Sequence, residues 1–284
     1  MELIETHAHL DDPRFLGDLD AVITRAHDAG IKRIITIGTG IQSSHAALTL
    51  ADRYPSVYAA VGIHPSNVSE EKEDWKSQLR LLALHPKVVA LGEIGLDYYH
   101  PPSDRSPLNL EKWREHQRHF FQQQLDLALE LGLNVIIHQR DLSMDQKKKL
   151  PLDSLLYRCN AWEEALKILS SYANKVHAVF HCFGGGPEEA HEVIAQGHLI
   201  SFTGIITFKN APLVQETARR VDQNHYMLET DAPYLAPVPH RGTRAEPAHV
   251  RLIAEKIAEL RGISLEEVAT TTTAAAERFF RFSV

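Results

Sequence analysis

Short runs of apolar, β-branched residues alternate with longer amphipathic segments along the whole chain of 284 residues. Eight of the runs predict β-strands, over 3–7, 34–38, 57–63, 88–92, 134–138, 176–181, 199–203 and 226–229. The intervening segments carry a helical pattern, over 16–29, 41–53, 72–84, 111–131, 161–173, 187–196 and 211–220, and two more helices follow, 246–260 and 264–280. This alternation is typical of parallel strands joined by helical crossovers.

Two architectures satisfy such a pattern, an open doubly wound sheet and a closed barrel. Eight strand–helix units in 284 residues favour the barrel. The GxGxxG motif of dinucleotide-binding sheets does not follow the first strand. We therefore predict a (β/α)8 TIM-type barrel with an extra C-terminal helix, forming a single domain over residues 1–284. The polar segment 141–160 is predicted to be a loop insertion.

Composition restricts the class of protein. The 44% of hydrophobic residues is ordinary for a globular protein, so we expect a sizeable core. A formal net charge of −7 argues against a nucleic-acid partner unless bound cations meet the phosphates. The two cysteines make a disulfide framework improbable, and from the sequence we expect neither a leader segment nor a membrane-spanning run. We expect no membrane association and a cytoplasmic location, or a nuclear one in a eukaryote.

Residue types that bind metals recur where the predicted strands end. The first strand ends in His7-Ala8-His9, and both imidazoles point to the same face because residues two apart in an extended chain do so. Further candidates lie at the ends of the fourth, fifth, sixth and eighth strands: Glu93, His138, His181 and Asp231. Each taken singly has an ordinary explanation, as a hydrogen-bonded core histidine or an acid at a turn. In a parallel barrel, however, all these ends lie on one face.

The types of ligand indicate the kind of metal site. Four imidazoles and two carboxylates, without a thiolate, suit a catalytic divalent cation rather than a structural zinc. Six ligands are too many for one open site, so we predict two cations (magnesium, manganese or zinc) bridged by Glu93. Such a pair activates a water molecule, and Asp231 is expected both to bind a cation and to accept the proton of that water. Glu93 and Asp231 are the predicted catalytic residues.

Seven segments together resemble the TatD family of deoxyribonucleases. They are Thr6-His7-Ala8-His9-Leu10, Gly62-Ile63-His64-Pro65, Gly92-Glu93-Ile94-Gly95-Leu96-Asp97, His138-Gln139-Arg140, His181-Cys182-Phe183-Gly184-Gly185, Glu229-Thr230-Asp231-Ala232-Pro233-Tyr234-Leu235 and Arg241-Gly242. The resemblance implies a metal-dependent nuclease barrel of the amidohydrolase-like superfamily, with metal ligands at the same six positions. It also implies that His64 and Arg241 contact the substrate phosphate. The chain departs from the pattern at Ala245, where many relatives have asparagine.

Three functions follow as hypotheses. We expect a deoxyribonuclease that hydrolyses phosphodiester bonds of DNA, exonuclease-like on single strands or ends, through a water activated by two metal ions. The alternative is a hydrolase of an ester, lactone or amide, including a D-aminoacyl-tRNA ester, on the same barrel. Such barrels often bridge their metals with a carbamylated lysine, and no lysine lies at a comparable strand end here. A metal-retaining scaffold protein is the third hypothesis, which the presence of all six ligands opposes.

The remaining expectations concern partners. We expect DNA as substrate, no organic cofactor, and a monomer in preference to an oligomer. The lysines at 147–149 are interpreted either as contacts to DNA phosphates beyond the cleaved bond or as a solvated run of charge.

Overall fold

Eight parallel strands form a single sheet in the computed structural model, which describes residues 1–104, 106–152 and 154–282. Their order in the sheet is the order in the chain: β1 (Leu3–Ala8), β2 (Ile31–Ile37), β3 (Val57–Val61), β4 (Val88–Asp97), β5 (Asn134–Arg140), β6 (Ala178–Phe180), β7 (Leu199–Phe202) and β8 (Tyr226–Leu228). Each strand pairs in parallel with the next. This confirms the predicted (β/α)8 architecture.

The sheet closes where the chain following β8 returns to β1. Ala8 and Ala232 form a parallel bridge. The backbone N–H of Asp231 donates to the His7 carbonyl at 2.9 Å, and the N–H of His9 donates to the Ala232 carbonyl at 2.7 Å. The barrel is therefore joined directly beside two of the predicted metal ligands of β1.

Helices surround the strands. They are α1 (Leu19–Asp28), α2 (Ile41–Arg53), α3 (Trp75–Ala83), α4 (Pro107–Leu131), α5 (Met144–Lys147), α6 (Leu155–Arg158), α7 (Ala161–Ser170), α8 (Pro187–Ala195), α9 (Pro212–Arg220), α10 (Val250–Arg261) and α11 (Leu265–Phe280). No helix in the described ranges is both long enough and apolar enough to cross a bilayer.

Two layers of apolar residues make the core. The larger layer lies between the strands and the surrounding helices. The smaller one fills the barrel, where side chains such as Ile35 and Ile136 meet Phe279 and Phe280 of the C-terminal helix α11. The side-chain amide of Asn134, the first residue of β5, donates to the Phe279 carbonyl at 2.7 Å. Helix α11 therefore closes the amino-terminal end of the barrel and leaves the opposite end open for a site.

Strand β4 continues five residues beyond its predicted end at 92. Gly95 pairs with His138 of β5, and Asp97 pairs with Arg140. Glycine and acidic residues have a low propensity for β-strands, so the prediction ended the strand at 92. In the structure, the pairing with β5 outweighs this low propensity. Glu93 consequently lies inside a buried strand rather than at its end.

Several other boundaries also differ from the prediction, and 3₁₀ turns account for two of these differences. Helix α1 starts at Leu19 rather than 16, because a 3₁₀ turn (Pro13–Phe15) capped by the Asp12 side chain comes before it. Another 3₁₀ turn (Pro247–His249) occupies the start of the predicted helix 246–260, and α10 follows it.

The segment 141–160 contains more structure than the predicted loop insertion, although Asp153 is outside the described residues. Its ends are held together, because the Asp141 carboxylate accepts hydrogen bonds from the backbone N–H groups of Ala161 (2.9 Å) and Trp162 (3.2 Å). The Lys147 ammonium donates to the Cys159 carbonyl at 2.6 Å, across the segment. One of the three lysines is thus partly buried by a local contact rather than free in solvent.

Candidate metal centre

The six predicted ligands converge at the carboxyl end of the barrel, around the buried carboxylate of Glu93. This carboxylate is only 4% exposed. Among the residues that the structure describes, it is also the one acid in contact with all four predicted histidine ligands. The structure therefore brings together side chains that are more than 200 residues apart in the chain.

One oxygen of Glu93 faces the ligands of β1. Its Oε2 lies 3.4 Å from His7 Nε2 and 3.8 Å from His9 Nε2. The Asp231 Oδ1 atom completes this group, at 3.7 Å from His7 Nε2 and 3.4 Å from His9 Nε2. His7, His9 and Asp231 each offer a ligand atom within 4.8 Å of the others, which is close enough to share one cation.

The other oxygen of Glu93 faces the ligands of β5 and β6. Its Oε1 lies 2.7 Å from His138 Nδ1 and 2.7 Å from His181 Nε2. Each carboxylate oxygen thus belongs to a different group of ligands. A carboxylate in this position is suited to bridge two cations.

The surroundings of His7 provide a test of whether the cluster fits a metal. The imidazole is fully buried, and neither ring nitrogen has a hydrogen-bond partner within the described part of the chain. Buried polar nitrogens without partners are rare, since each costs free energy on folding. The His7 ring also stacks on the His181 ring at 4.1 Å. A divalent cation at Nε2 would supply the missing partner. The residues of the cluster therefore fit a metal ion.

The electrostatics of the cluster keep its acids ionised. Burial alone would raise the pKa of Glu93, but the charge of His181 and the hydrogen bonds from His138 and His181 hold it well below its usual value. Burial would likewise raise the pKa of Asp231, and the hydrogen bond from His9 and the charge of His7 lower it. Both acids can therefore act as anionic ligands at neutral pH.

Asp97 is a functional candidate that the sequence analysis did not select. It is buried at 1% exposure, and its Oδ2 lies 3.3 Å from His138 Nε2, the nitrogen turned away from Glu93. The same carboxylate oxygen contacts His100 Nδ1 at 2.8 Å. A carboxylate behind a ligating imidazole fixes its tautomer and the orientation of its ring.

Two more buried acids support the histidines from behind. Glu229 accepts hydrogen bonds from the backbone N–H of Cys182 (2.6 Å) and the hydroxyl of Ser201 (2.8 Å), and its Oε1 lies 3.6 Å from His181 Nδ1. Glu5 accepts from the backbone N–H of His7 at 2.9 Å, and burial raises its pKa well above the usual value.

The spacing of these supporting acids was a usable signal. Glu5 lies two residues before His7, Glu229 lies two residues before Asp231, and Asp97 lies four residues after Glu93. The rule that placed His7 and His9 on one face places these acids there too.

Three non-glycine residues of the cavity lining, Cys182, Asp231 and Leu235, have a positive φ, and the first two lie at or beside predicted ligands. Asp231 has φ +59° and Cys182 has φ +49°, in the left-handed region that non-glycine residues rarely adopt. Each is held there by a hydrogen bond from its own N–H, to the His7 carbonyl and to the Glu229 carboxylate respectively. Such strain is typical of functional sites, where it sets the direction of a side chain.

His64 lies at the mouth of the site, with 14% of its side chain exposed. Its Nδ1 accepts a hydrogen bond from the backbone N–H of Ser66 at 3.1 Å, which leaves the ring proton on Nε2. Burial lowers the pKa of His64 to about 3, so the ring is neutral. Nε2 lies 3.7 Å from Glu93 Oε1, but an N–H at this position donates a hydrogen bond and cannot bind a cation. A third metal held by His64 is therefore disfavoured.

Arg241 contacts an aromatic ring and has no contact with the six predicted ligands among the described residues. Its guanidinium stacks 3.6 Å above the ring of Phe208, and the residue is not among those described as lining the central cavity. Arg140, at the end of β5, lines the cavity instead. The predicted phosphate contact of Arg241 thus has no support from its position, and Arg140 was missed although it lies within one of the motifs.

A cavity of about 1060 Å³ opens above the cluster. Its described lining holds seven carboxylates, and only two side chains carry a full positive charge, Arg140 and Lys147. An anionic substrate can enter such a cavity only when bound cations offset the acids.

Comparison with known proteins gives matches along nearly the whole chain. The family described as TatD related DNase matches residues 4–281. The uncharacterized metal-dependent hydrolase YabD of Bacillus subtilis is 36% identical over 282 residues, covering 99% of this chain and 100% of that protein. The 3'-5' ssDNA/RNA exonuclease TatD of Citrobacter rodentium is 32% identical over 284 residues, covering 98% and 97%. The crystal structure of YJJV, a TatD homologue of Escherichia coli K12, superposes with a TM-score of 0.84 at 27% identity, covering 99% and 98%.

Proposed function

The chain belongs to the family of TatD-related DNases, and from this we propose that it is a metal-dependent hydrolase that removes nucleotides from single-stranded DNA or DNA ends. The observation that carries the proposal is the position of Glu93, whose two oxygens each face a separate group of ligands. Two relatives at 32% identity, each named 3'-5' ssDNA/RNA exonuclease TatD, support the choice of substrate.

The proposed ligands divide between two cations. His7, His9, Asp231 and Oε2 of Glu93 would hold one, and His138, His181 and Oε1 of Glu93 would hold the other. Divalent cations so placed supply an acidified water and neutralise charge on a phosphate group.

Two side chains of the rim then act on the substrate. Asp231, ionised and 16% exposed toward the cavity, accepts the proton of the attacking water. The Nε2–H of His64 donates a hydrogen bond to a phosphate oxygen, a role that its fixed tautomer favours. Arg140 is better placed than Arg241 to contact a second phosphate, because it lines the cavity.

The same cluster of metal ligands could also serve the alternative substrates, which are esters, lactones, amides or a D-aminoacyl-tRNA ester. The similarity of the barrel fold does not distinguish phosphodiester from carbonyl substrates, since one fold hosts many reactions. The central bridging position is occupied by Glu93 rather than by a lysine. This choice of residue favours the phosphodiester over the carbonyl substrates.

The test is hydrolysis by protein stripped of metal and then supplied with one cation at a time. End-labelled single-stranded DNA, duplex DNA and RNA are the substrates, with a simple ester and a lactone beside them. We expect release of nucleotides from single strands only when Mg²⁺, Mn²⁺ or Zn²⁺ is restored. Turnover of the carbonyl substrates without nucleotide release would overturn the proposal.

The Asp231→Asn variant serves as the control for contaminating nuclease. The amide is isosteric with the carboxylate but cannot accept the proton, so we expect near-complete loss of cutting with the circular dichroism spectrum unchanged. Cutting at the wild-type rate would remove Asp231 from its assigned role.

A further inference from the structure

One side of the cavity is apolar and aromatic, unlike the acidic remainder. Leu142, Met144, Trp162 and Phe183 line it, and we call these four residues the aromatic wall. Trp162, in the first turn of α7, packs on Phe180 and Phe183 with ring centroids 5.2 and 5.6 Å apart, and it is only partly buried. Met144 is 65% exposed although it is apolar. The aromatic wall thus presents partly exposed apolar surface to the cavity.

The indole of Trp162 is costly for folding. Its Nε1 atom is buried and has no hydrogen-bond partner among the residues that the structure describes. Phenylalanine would fill much of the same space without burying an unpaired N–H, so stability alone does not explain a tryptophan here. A local cost at the edge of a cavity is expected where the ring serves a ligand.

Cations lie beside the aromatic wall. Arg140 precedes Asp141, whose carboxylate is bonded to the backbone of Trp162. The Arg140 guanidinium lies 4.0 Å above the ring of Tyr99 and has no carboxylate partner in the described ranges. Lys147 also lines the cavity on this side. The cavity is therefore lined by both an apolar ring and a guanidinium that Tyr99 orients and that has no carboxylate partner among the described residues.

A second aromatic residue, Tyr234, lines the cavity on the side of β8 and β1. Tyr234 is 47% exposed, but the Arg14 guanidinium lies 4.5 Å from its ring centroid and the His9 ring meets it edge-on at 6.1 Å. Arg14 is itself paired with Asp12 at 2.7 Å. The cation beside Tyr234 is therefore already paired with a carboxylate, unlike Arg140, and is not available to a phosphate.

We propose that the aromatic wall is a nucleobase-binding subsite. The base of a nucleotide next to the cleaved bond lies against Trp162, and Arg140 contacts the neighbouring phosphate. Every base has a flat apolar face, so such a contact is tolerant of sequence, while Arg140 supplies the attraction for the backbone. This inference rests on the proposed function and adds to it the part of the cavity that holds the bases.

The test measures binding rather than cutting. Cation-loaded protein is titrated into a fluorescent, phosphorothioate-linked oligothymidylate, and into the same backbone carrying abasic tetrahydrofuran residues in place of the bases. We expect wild type to bind the base-bearing strand about tenfold tighter or more. The Trp162→Ala variant should lose this preference, and Trp162→Phe should keep part of it.

Two controls separate the subsite from a structural role. Tyr234→Ala, the matched aromatic at the other side, should retain the preference for bases. Trp162→Phe should have a Tm no lower than wild type, because it removes the unpaired N–H. If Trp162→Ala keeps the preference or Tyr234→Ala loses it, the subsite is wrong while the proposed function stands. If wild type binds neither strand, the proposed function itself fails.

Discussion

At the scale of single residues, Asp97 decides which nitrogen of His138 faces the cluster. Its contact with Nε2 leaves Nδ1 directed at Glu93 Oε1, where the proposed second cation binds. Backbone N–H groups of Tyr99 and His100 donate to its other oxygen, so the carboxylate is fixed in turn. Asp97 is thus a positioning residue that need not touch substrate.

We expect Asp97→Asn to weaken metal binding about 10- to 100-fold, the usual effect of losing the acid behind a ligating histidine. Competition against a chromogenic chelator measures the change. His100→Gln is the matched control, because it removes the other imidazole from Asp97 and leaves His138 in contact. Equal metal affinity in wild type and Asp97→Asn would contradict the positioning role.

The candidate ligands could be predicted from the sequence because they obey a local rule. Successive side chains of a strand point to opposite faces, so residues two apart share a face. A parallel barrel also places the carboxyl ends of all its strands on one side. The tautomer of His64 could not be predicted, since it depends on the N–H of Ser66 in a particular turn. The position of Arg241 was equally out of reach, because stacking on Phe208 is a tertiary contact.

At the scale of elements, the strands and long helices were predictable and the connections were not. Amphipathic periodicity indicated α2 at its observed bounds, Ile41–Arg53. The pairing that extends β4 and the Asp141 contacts that close the 141–160 segment are both non-local. Sequence pattern over a short window carries no information about such contacts.

The lysines of this segment give a prediction at the same scale. Replacing Lys147, Lys148 and Lys149 with alanine should weaken binding of single-stranded DNA and flatten its dependence on salt, because fewer counterions are released. Binding measured at several salt concentrations gives the slope. Lys32→Ala is the control, since Lys32 lies at the start of β2, the end opposite the cavity. An unchanged slope in the triple variant would favour a merely solvated run of charge.

Helix α1 is linked to the chain before α10 by an ion pair with a defined dependence on pH. Hydrogen bonds from Arg244 and Arg25 lower the pKa of Asp18 to about 2. A lowered pKa stabilises the fold above the unfolded value of about 3.9, and the contribution disappears as pH falls through about 2. We expect Asp18→Asn to lower Tm slightly at pH 7, with the difference shrinking below pH 4. A difference in Tm that stays constant down to pH 2 would contradict the assignment.

At the scale of the whole molecule, charge makes substrate binding depend on cations. The chain carries a formal net charge of −7, and acids outnumber full positive charges in the described cavity lining. The protein alone should therefore repel DNA, and bound divalent cations should reverse this locally.

We expect a chelator to abolish binding of single-stranded DNA, and not only its cleavage. Fluorescence anisotropy with the Asp231→Asn variant, before and after EDTA, separates binding from turnover. Restoring Mn²⁺ should also raise Tm in wild type, because a ligand of the folded state alone stabilises it. Glu93→Gln is expected to lose most of this rise in Tm. Tight DNA binding in EDTA would show that the acidic lining does not control access.

The junction of β1 with the chain after β8 has a consequence for biosynthesis. His7 leaves the ribosome early and Asp231 late, yet the hydrogen bonds that join them stand beside the same proposed cation. A nascent chain shorter than this span cannot complete that coordination sphere. Under the proposed assignment, hydrolytic capability arises in one step when the final strand docks, so unfinished polypeptides and fragments truncated before residue 231 are inert toward cellular DNA.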